Sequence, residues 1–132
     1  MRLLKYSKGF TLVEIMIVVA IIALLAAIAI PNLLRAKVAA NDALARATVR
    51  SISTASEAFA TANNGNYPGD IASLTGATPP YLNSPYCGAT ISGYDYTCVF
   101  ASTSYSAVAT PATVGTTGTT TVTVTTGGVM TP

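Results

Sequence analysis

The stretch that decides how this chain is read is Lys8-Gly9-Phe10-Thr11-Leu12-Val13-Glu14-Ile15-Met16, continued by IVVAIIALLAAIAI over residues 17–30. From Phe10 to Ile30 it holds 21 residues, and Glu14 is the only charged one. As a helix it would rise about 31 Å at ~1.5 Å per residue, close to the hydrocarbon thickness of a bilayer. Ahead of it Arg2, Lys5 and Lys8 form a basic flank. Such a flank predicts a cytoplasmic N-terminus and a C-terminal domain on the far side of the membrane.

Three readings of this segment compete. It could be a secretory signal ending in the A-x-A pattern Ala27-Ile28-Ala29, a plain membrane anchor, or an assembly helix cut on the cytoplasmic side before the apolar run. Glu14 separates them. A carboxylate within a span costs about 3 kcal/mol on insertion scales, so it needs a partner. Cleavage after Gly9 would supply one, because Phe10 would then carry a free α-amino group one helical turn from Glu14. A buried carboxylate–ammonium pair is also a register device, since a shifted neighbour leaves both charges unpaired.

Residues 8–34, with the string from Lys8 to Met16 and Ala26-Ala27-Ile28-Ala29-Ile30-Pro31, resemble the type IV pilins and the type II secretion pseudopilins. The resemblance implies that prepilin peptidase cuts between Gly9 and Phe10 and methylates the new Phe10 amine. It also implies that Glu14 of one subunit meets the Phe10 amine of its neighbour. Expected partners are therefore further copies of the chain, the peptidase and an inner-membrane assembly platform. The expected location is the bacterial inner membrane before assembly and a periplasmic or cell-surface filament afterwards. Pro31 lacks the N–H that would bond the Ala27 carbonyl, which predicts a kink or break. Many members of the family unwind from about Ala23 to Pro31 within the filament; a simple bend at the membrane exit is the alternative. The alanines of residues 23–29 would allow close helix packing, or serve only as good helix formers.

The chain's 132 residues suit one domain plus a membrane element. Only 9% are charged and 51% are apolar, against about 25% charged in an ordinary soluble domain. All seven Lys and Arg lie between Arg2 and Arg50, and the last acid is Asp95. With no cation after Arg50, nothing in the C-terminal half suits a nucleic-acid partner.

From Leu33 to Ala62 there is no Gly or Pro. At ~100° per residue, Leu34, Val38, Ala45, Val49, Ile52, Ala55 and Phe59 form one stripe, while Arg35, Asp42, Arg46, Arg50 and Glu57 form another. The charged face is either solvated or paired with neighbouring subunits, with Asp42–Arg46 as an i,i+4 pair. Asn63-Asn64-Gly65-Asn66 ends the helix, with Gly65 expected at the left-handed C′ position. A loop with one helical turn at Ile71–Leu74 follows, and then strands at Tyr94–Phe100, Tyr105–Thr110, Thr119–Thr125 and Val129–Met130. The alternation Thr121-Val122-Thr123-Val124-Thr125 predicts one valine face and one threonine face. The threonine-rich end reads as a solvated strand face, with glycosylation or edge pairing as alternatives.

Cys87 and Cys98 have no zinc spacing and no His to complete a site, so they read as a disulfide in an oxidising compartment; two buried thiols are the alternative. No metal or cofactor is expected, since Asp70 and Asp95 are too few for a calcium cage. No Ser or Cys has an evident base, so no enzyme is expected.

The predicted organisation is α+β: a leader (residues 1–9), a transmembrane and polymerisation helix (10–31), an amphipathic helix (32–64) and a small antiparallel head (65–132). The function that follows is a structural subunit of a type IV pilus-like filament, with a secretion pseudopilus as the alternative.

Overall fold

A computed structural model describes residues 9–132; most of the expected leader, including Arg2, Lys5 and Lys8, lies outside the described residues. Helix α1 spans Leu12–Ala62. Its start is a reciprocal cap. The Thr11 hydroxyl accepts the Glu14 N–H at 3.2 Å, and Glu14 Oε2 accepts both the Thr11 N–H and the Thr11 hydroxyl at 2.7 Å. A Thr-x-x-Glu box of this kind satisfies donors that the first turn would otherwise leave open. Helix α1 continues through Pro31, so the break expected there is not observed. Proline forfeits one bond and crowds one turn, and the helix formers on either side keep helical geometry.

At the other end the Gly65 N–H reaches back to the Ala60 carbonyl at 2.8 Å, the longer bond of a Schellman turn. That bond makes Asn64, at φ 56°, the left-handed C′ residue and moves Gly65, at φ 85°, to C″. The sequence reading had placed glycine one position early. Asparagine tolerates the left-handed region well enough to take that role.

The internal contacts of the chain divide it into two compact units, residues 1–35 and 36–132. In the first, Leu33 and Leu34 are exposed like the residues before them. Leu34 is therefore not part of the buried stripe predicted for it. In the second unit the stripe runs through Ala45, Thr48, Val49, Ile52, Ala55, Ser56 and Ala60.

Helix α2 (Ile71–Thr75) is one turn capped by Asp70, which accepts the Ser73 N–H at 2.8 Å. Its Leu74 is buried, and the Leu74 carbonyl accepts the N–H groups of Tyr81 and Leu82 at 2.9 and 3.2 Å. Five strands follow: β1 (Thr90–Ile91), β2 (Tyr94–Ala101), β3 (Ser104–Pro111), β4 (Val122–Thr125) and β5 (Val129–Thr131). They form one sheet in sequence order, with every neighbouring pair antiparallel. Between β1 and β2, Ser92 and Gly93 both have positive φ (50° and 78°), as a two-residue type I′ hairpin requires.

The strands alternate as their sequences predict. Tyr94 and Tyr96, Tyr105, Ala107 and Ala109, and Val122 and Val124 face one core with Ala45, Val49, Ile52, Ala55, Leu74 and Leu82. Fully burying each of the larger aliphatic side chains contributes roughly 1.5–3 kcal/mol. Cys87 and Cys98 form a disulfide with Cα atoms 5.5 Å apart, tying the segment before β1 to β2. By the chain-entropy estimate a loop of this size is worth on the order of 3 kcal/mol.

Candidate functional site

Two constellations stand out, one in each unit. The first is the start of the apolar helix. Phe10 is 85% exposed, and Leu12, Val13, Ile15, Met16 and the large apolar residues onward to Leu34 are more than half exposed or close to it. Burying none of a surface this apolar within the chain is unfavourable in water, so the segment is built for another medium or for other copies of itself. By length and composition α1 is sufficient to cross a membrane. Gly9 is exposed, with nothing among the described residues within 4 Å of where a Cβ would stand and no positive φ. The fold itself therefore sets no demand for glycine there. Glu14 is not turned toward Phe10 but caps its own helix through Thr11. The Thr-x-x-Glu spacing signals that cap, and sequence reasoning passed over it in favour of an intersubunit role.

The second constellation belongs to residues 36–132. Asp42 Oδ1 lies 2.6 Å from the Tyr94 hydroxyl and 2.9 Å from the Thr119 N–H, while Oδ2 accepts the Thr119 hydroxyl. The Thr120 carbonyl sits 2.9 Å from the same Tyr94 oxygen, whose single proton serves the carboxylate. Beside it, the Asn41 side-chain amide donates to the Thr117 carbonyl at 2.8 Å. About four helical turns along, Glu57 makes a matching anchor. Its Oε1 accepts the Tyr105 hydroxyl at 3.0 Å and the Gly127 N–H at 2.8 Å, and its Oε2 accepts the Tyr67 hydroxyl at 3.0 Å. Ser53 shares the Tyr105 hydroxyl at 2.8 Å, and the Tyr67 and Tyr105 rings pack with centroids 5.2 Å apart.

These anchors correct the reading of the charged face. Asp42 and Glu57 hold the head onto its own helix, while Arg46 and Arg50 remain exposed. Burial alone would raise the Asp42 carboxyl. The hydrogen bonds from Thr119 and Tyr94, helped by the nearby Arg46 charge, outweigh it and hold the group below the usual carboxylate range. Burial and the facing carboxylate push the Tyr94 hydroxyl up. Tyr105 is raised as well, by burial first; the Ser53 hydrogen bond opposes this, and the Glu57 hydrogen bond and charge add to it. The anchor also explains why β4 starts at Val122 rather than at Thr119. The Thr119 N–H and the Thr120 carbonyl face Asp42 and Tyr94 instead of a neighbouring strand.

The chain carries a prokaryotic N-terminal methylation motif, whose model matches residues 4–30. Among curated proteins, it is similar to the type IV wide pilus major component PilA4 of Thermus thermophilus, 46% identical over 61 residues, which cover 46% of this chain and 47% of the relative. It is also similar to the type IV major pilin protein PilA of Myxococcus xanthus, 45% identical over 53 residues, or 40% of this chain and 24% of the relative. The matches thus span less than half the length of these pilins. No solved structure matches the chain. The pilin-like architecture of long helix and antiparallel sheet agrees with the predicted α+β class.

Proposed function

We propose that this chain is a structural, non-catalytic subunit of a type IV pilus, polymerising through its apolar helix after cleavage between Gly9 and Phe10. The observation that carries the reading is the exposed apolar segment of α1, whose one charge is Glu14, within a methylation motif. The subunit waits in the inner membrane with its N-terminus in the cytoplasm. Prepilin peptidase removes residues 1–9 and methylates Phe10, and an assembly platform feeds the helix into the filament. Once Phe10 bears an amine, Glu14 has a stronger partner than its own cap. A neighbour's ammonium then competes with the Thr11 donors for the same carboxylate. The free, unstrained setting of Gly9 supports a recognition role rather than a structural one. Both relatives are described as major pilus components, which favours a pilus over a secretion pseudopilus.

Mass spectrometry of the mature protein tests this directly. Loss of residues 1–9 with one added methyl group is expected. A mature chain beginning at Ile30 would mean that the apolar run is a discarded signal, and the proposal would fall. Glu14→Ala should still reach the membrane yet assemble few filaments.

A further inference from the structure

A filament of identical subunits needs a heterologous interface, in which one surface of the chain receives a different surface of the next copy. The charges of residues 36–132 are distributed in a way that suits such a contact. The cations, Lys37, Arg46 and Arg50, all stand on α1 and are exposed. Of the four acids, Asp42 and Glu57 are each taken up by three donors of their own chain, and Asp70 caps α2 through the Ser73 N–H and hydroxyl. Asp95 remains. It is exposed on β2, where its one donor among the described residues is the Thr90 hydroxyl.

The surroundings of the two charges are complementary as well. Arg50 lines a groove of about 620 Å³ together with small residues, Ala47, Ser51, Thr54 and Ala58 among them, and with Tyr81 and Tyr86. Asp95 lies on the outer face of the sheet, the face that alternation turns away from the core. Thr97 and the 65% exposed Val99 continue that face along β2. The exposed Thr97 and Val99 beside Asp95 suit a groove lined by small residues, and its tyrosines offer large, stiff contact area.

We propose that the outer face of β2 of one subunit docks against the Arg50 groove of the next, with Asp95 pairing to Arg50. The contact rests on the pilus reading and adds a head-to-helix interface to the helix packing that the reading already requires.

Charge reversal in the full-length chain, expressed with its assembly machinery, tests it by the yield of sheared filaments. Arg50→Glu and Asp95→Lys should each lower the yield about tenfold, because either places like charges together. The Arg50→Glu/Asp95→Lys double variant should return to within about twofold of the original. Near-ultraviolet circular dichroism of the detergent-solubilised subunits should be unchanged in all three, which separates assembly from folding. Single variants at full yield, a double variant no better than the singles, or rescue of Asp95→Lys by Arg46→Glu instead would each overturn the assignment. Failure of the unaltered chain to form filaments would remove the pilus reading itself; filaments indifferent to these charges would remove only this contact.

Discussion

Removing the Asp42 carboxylate should loosen the head measurably. Asp42→Ala deletes three accepted hydrogen bonds, from the Tyr94 hydroxyl and from the N–H and hydroxyl of Thr119. A hydrogen bond to a charged group is worth about 1.5–3 kcal/mol, and less where water can replace the partner. Thr119 is exposed, while the Tyr94 side chain is fully buried up to its hydroxyl. The Tyr94 bond should therefore carry about 2 kcal/mol and the two Thr119 bonds together about 1, a loss of roughly 3 kcal/mol. For a unit the size of residues 36–132, each kcal/mol moves the melting temperature by about 4–8 °C, so a drop of roughly 12–24 °C is expected. The assay is thermal unfolding of the detergent-solubilised chain, followed by near-ultraviolet dichroism. The chain has no tryptophan, and six of its seven tyrosines lie in residues 67–105, so the signal reports the head. The decisive comparison is a double-mutant cycle with Tyr94→Phe. A coupling of at least about 1 kcal/mol is expected; additivity within about 0.5 kcal/mol would show that the two side chains do not act through each other, and the anchor argument would fail.

Two further outcomes follow from the same geometry. Gly118→Ala should cost about 1–3 kcal/mol, because the new methyl group would stand against the Tyr94 ring and hydroxyl. Gly69→Ala, with open space around it and no positive φ, should stay within about 0.5 kcal/mol; equal melting temperatures for the two variants would contradict this. In pH titration, the depressed Asp42 carboxyl contributes stability that is present above the ordinary carboxylate range and lost as pH falls through its folded value. The raised Tyr94 and Tyr105 hydroxyls contribute stability that is present below the ordinary tyrosine range and lost as pH rises through their folded values. Thermal midpoints should thus hold a plateau between about pH 4 and pH 10 and fall on both sides. A midpoint that keeps rising above about pH 10 would refute the tyrosine assignment.

Local pattern carried much of this architecture. The absence of glycine and proline from Leu33 to Ala62 placed the second half of α1. The valine–threonine alternation placed β4 and its buried Val122 and Val124. The errors have physical causes. Asn64 took the left-handed position expected of Gly65, because asparagine also tolerates it. Helix α1 runs through Pro31 without the break that was one of the two expectations there, since one missing hydrogen bond is small beside those its neighbours keep. Thr119 left the predicted strand because Asp42 takes its N–H and hydroxyl, and the Thr120 carbonyl turns toward Tyr94 rather than a neighbouring strand. The Thr11–Glu14 cap was legible as a four-residue spacing, but a stronger expectation for Glu14 hid it.

By itself, then, the sequence determined what is local or one-dimensional: an apolar run long enough for a membrane, a lone acid near its start, a processing motif and the alternation of the strands. These depend on spacing along the chain, which is fully written in the order of residues. The tertiary structure alone decided which acids are spent within the chain. Asp42 and Glu57 meet partners 52–77 and 10–70 residues away, and no periodicity encodes a hydrogen bond across that distance. Only folding brings a tyrosine hydroxyl and a backbone N–H to one carboxylate, and so separates the acids that hold the head from Asp95, which faces outward from β2.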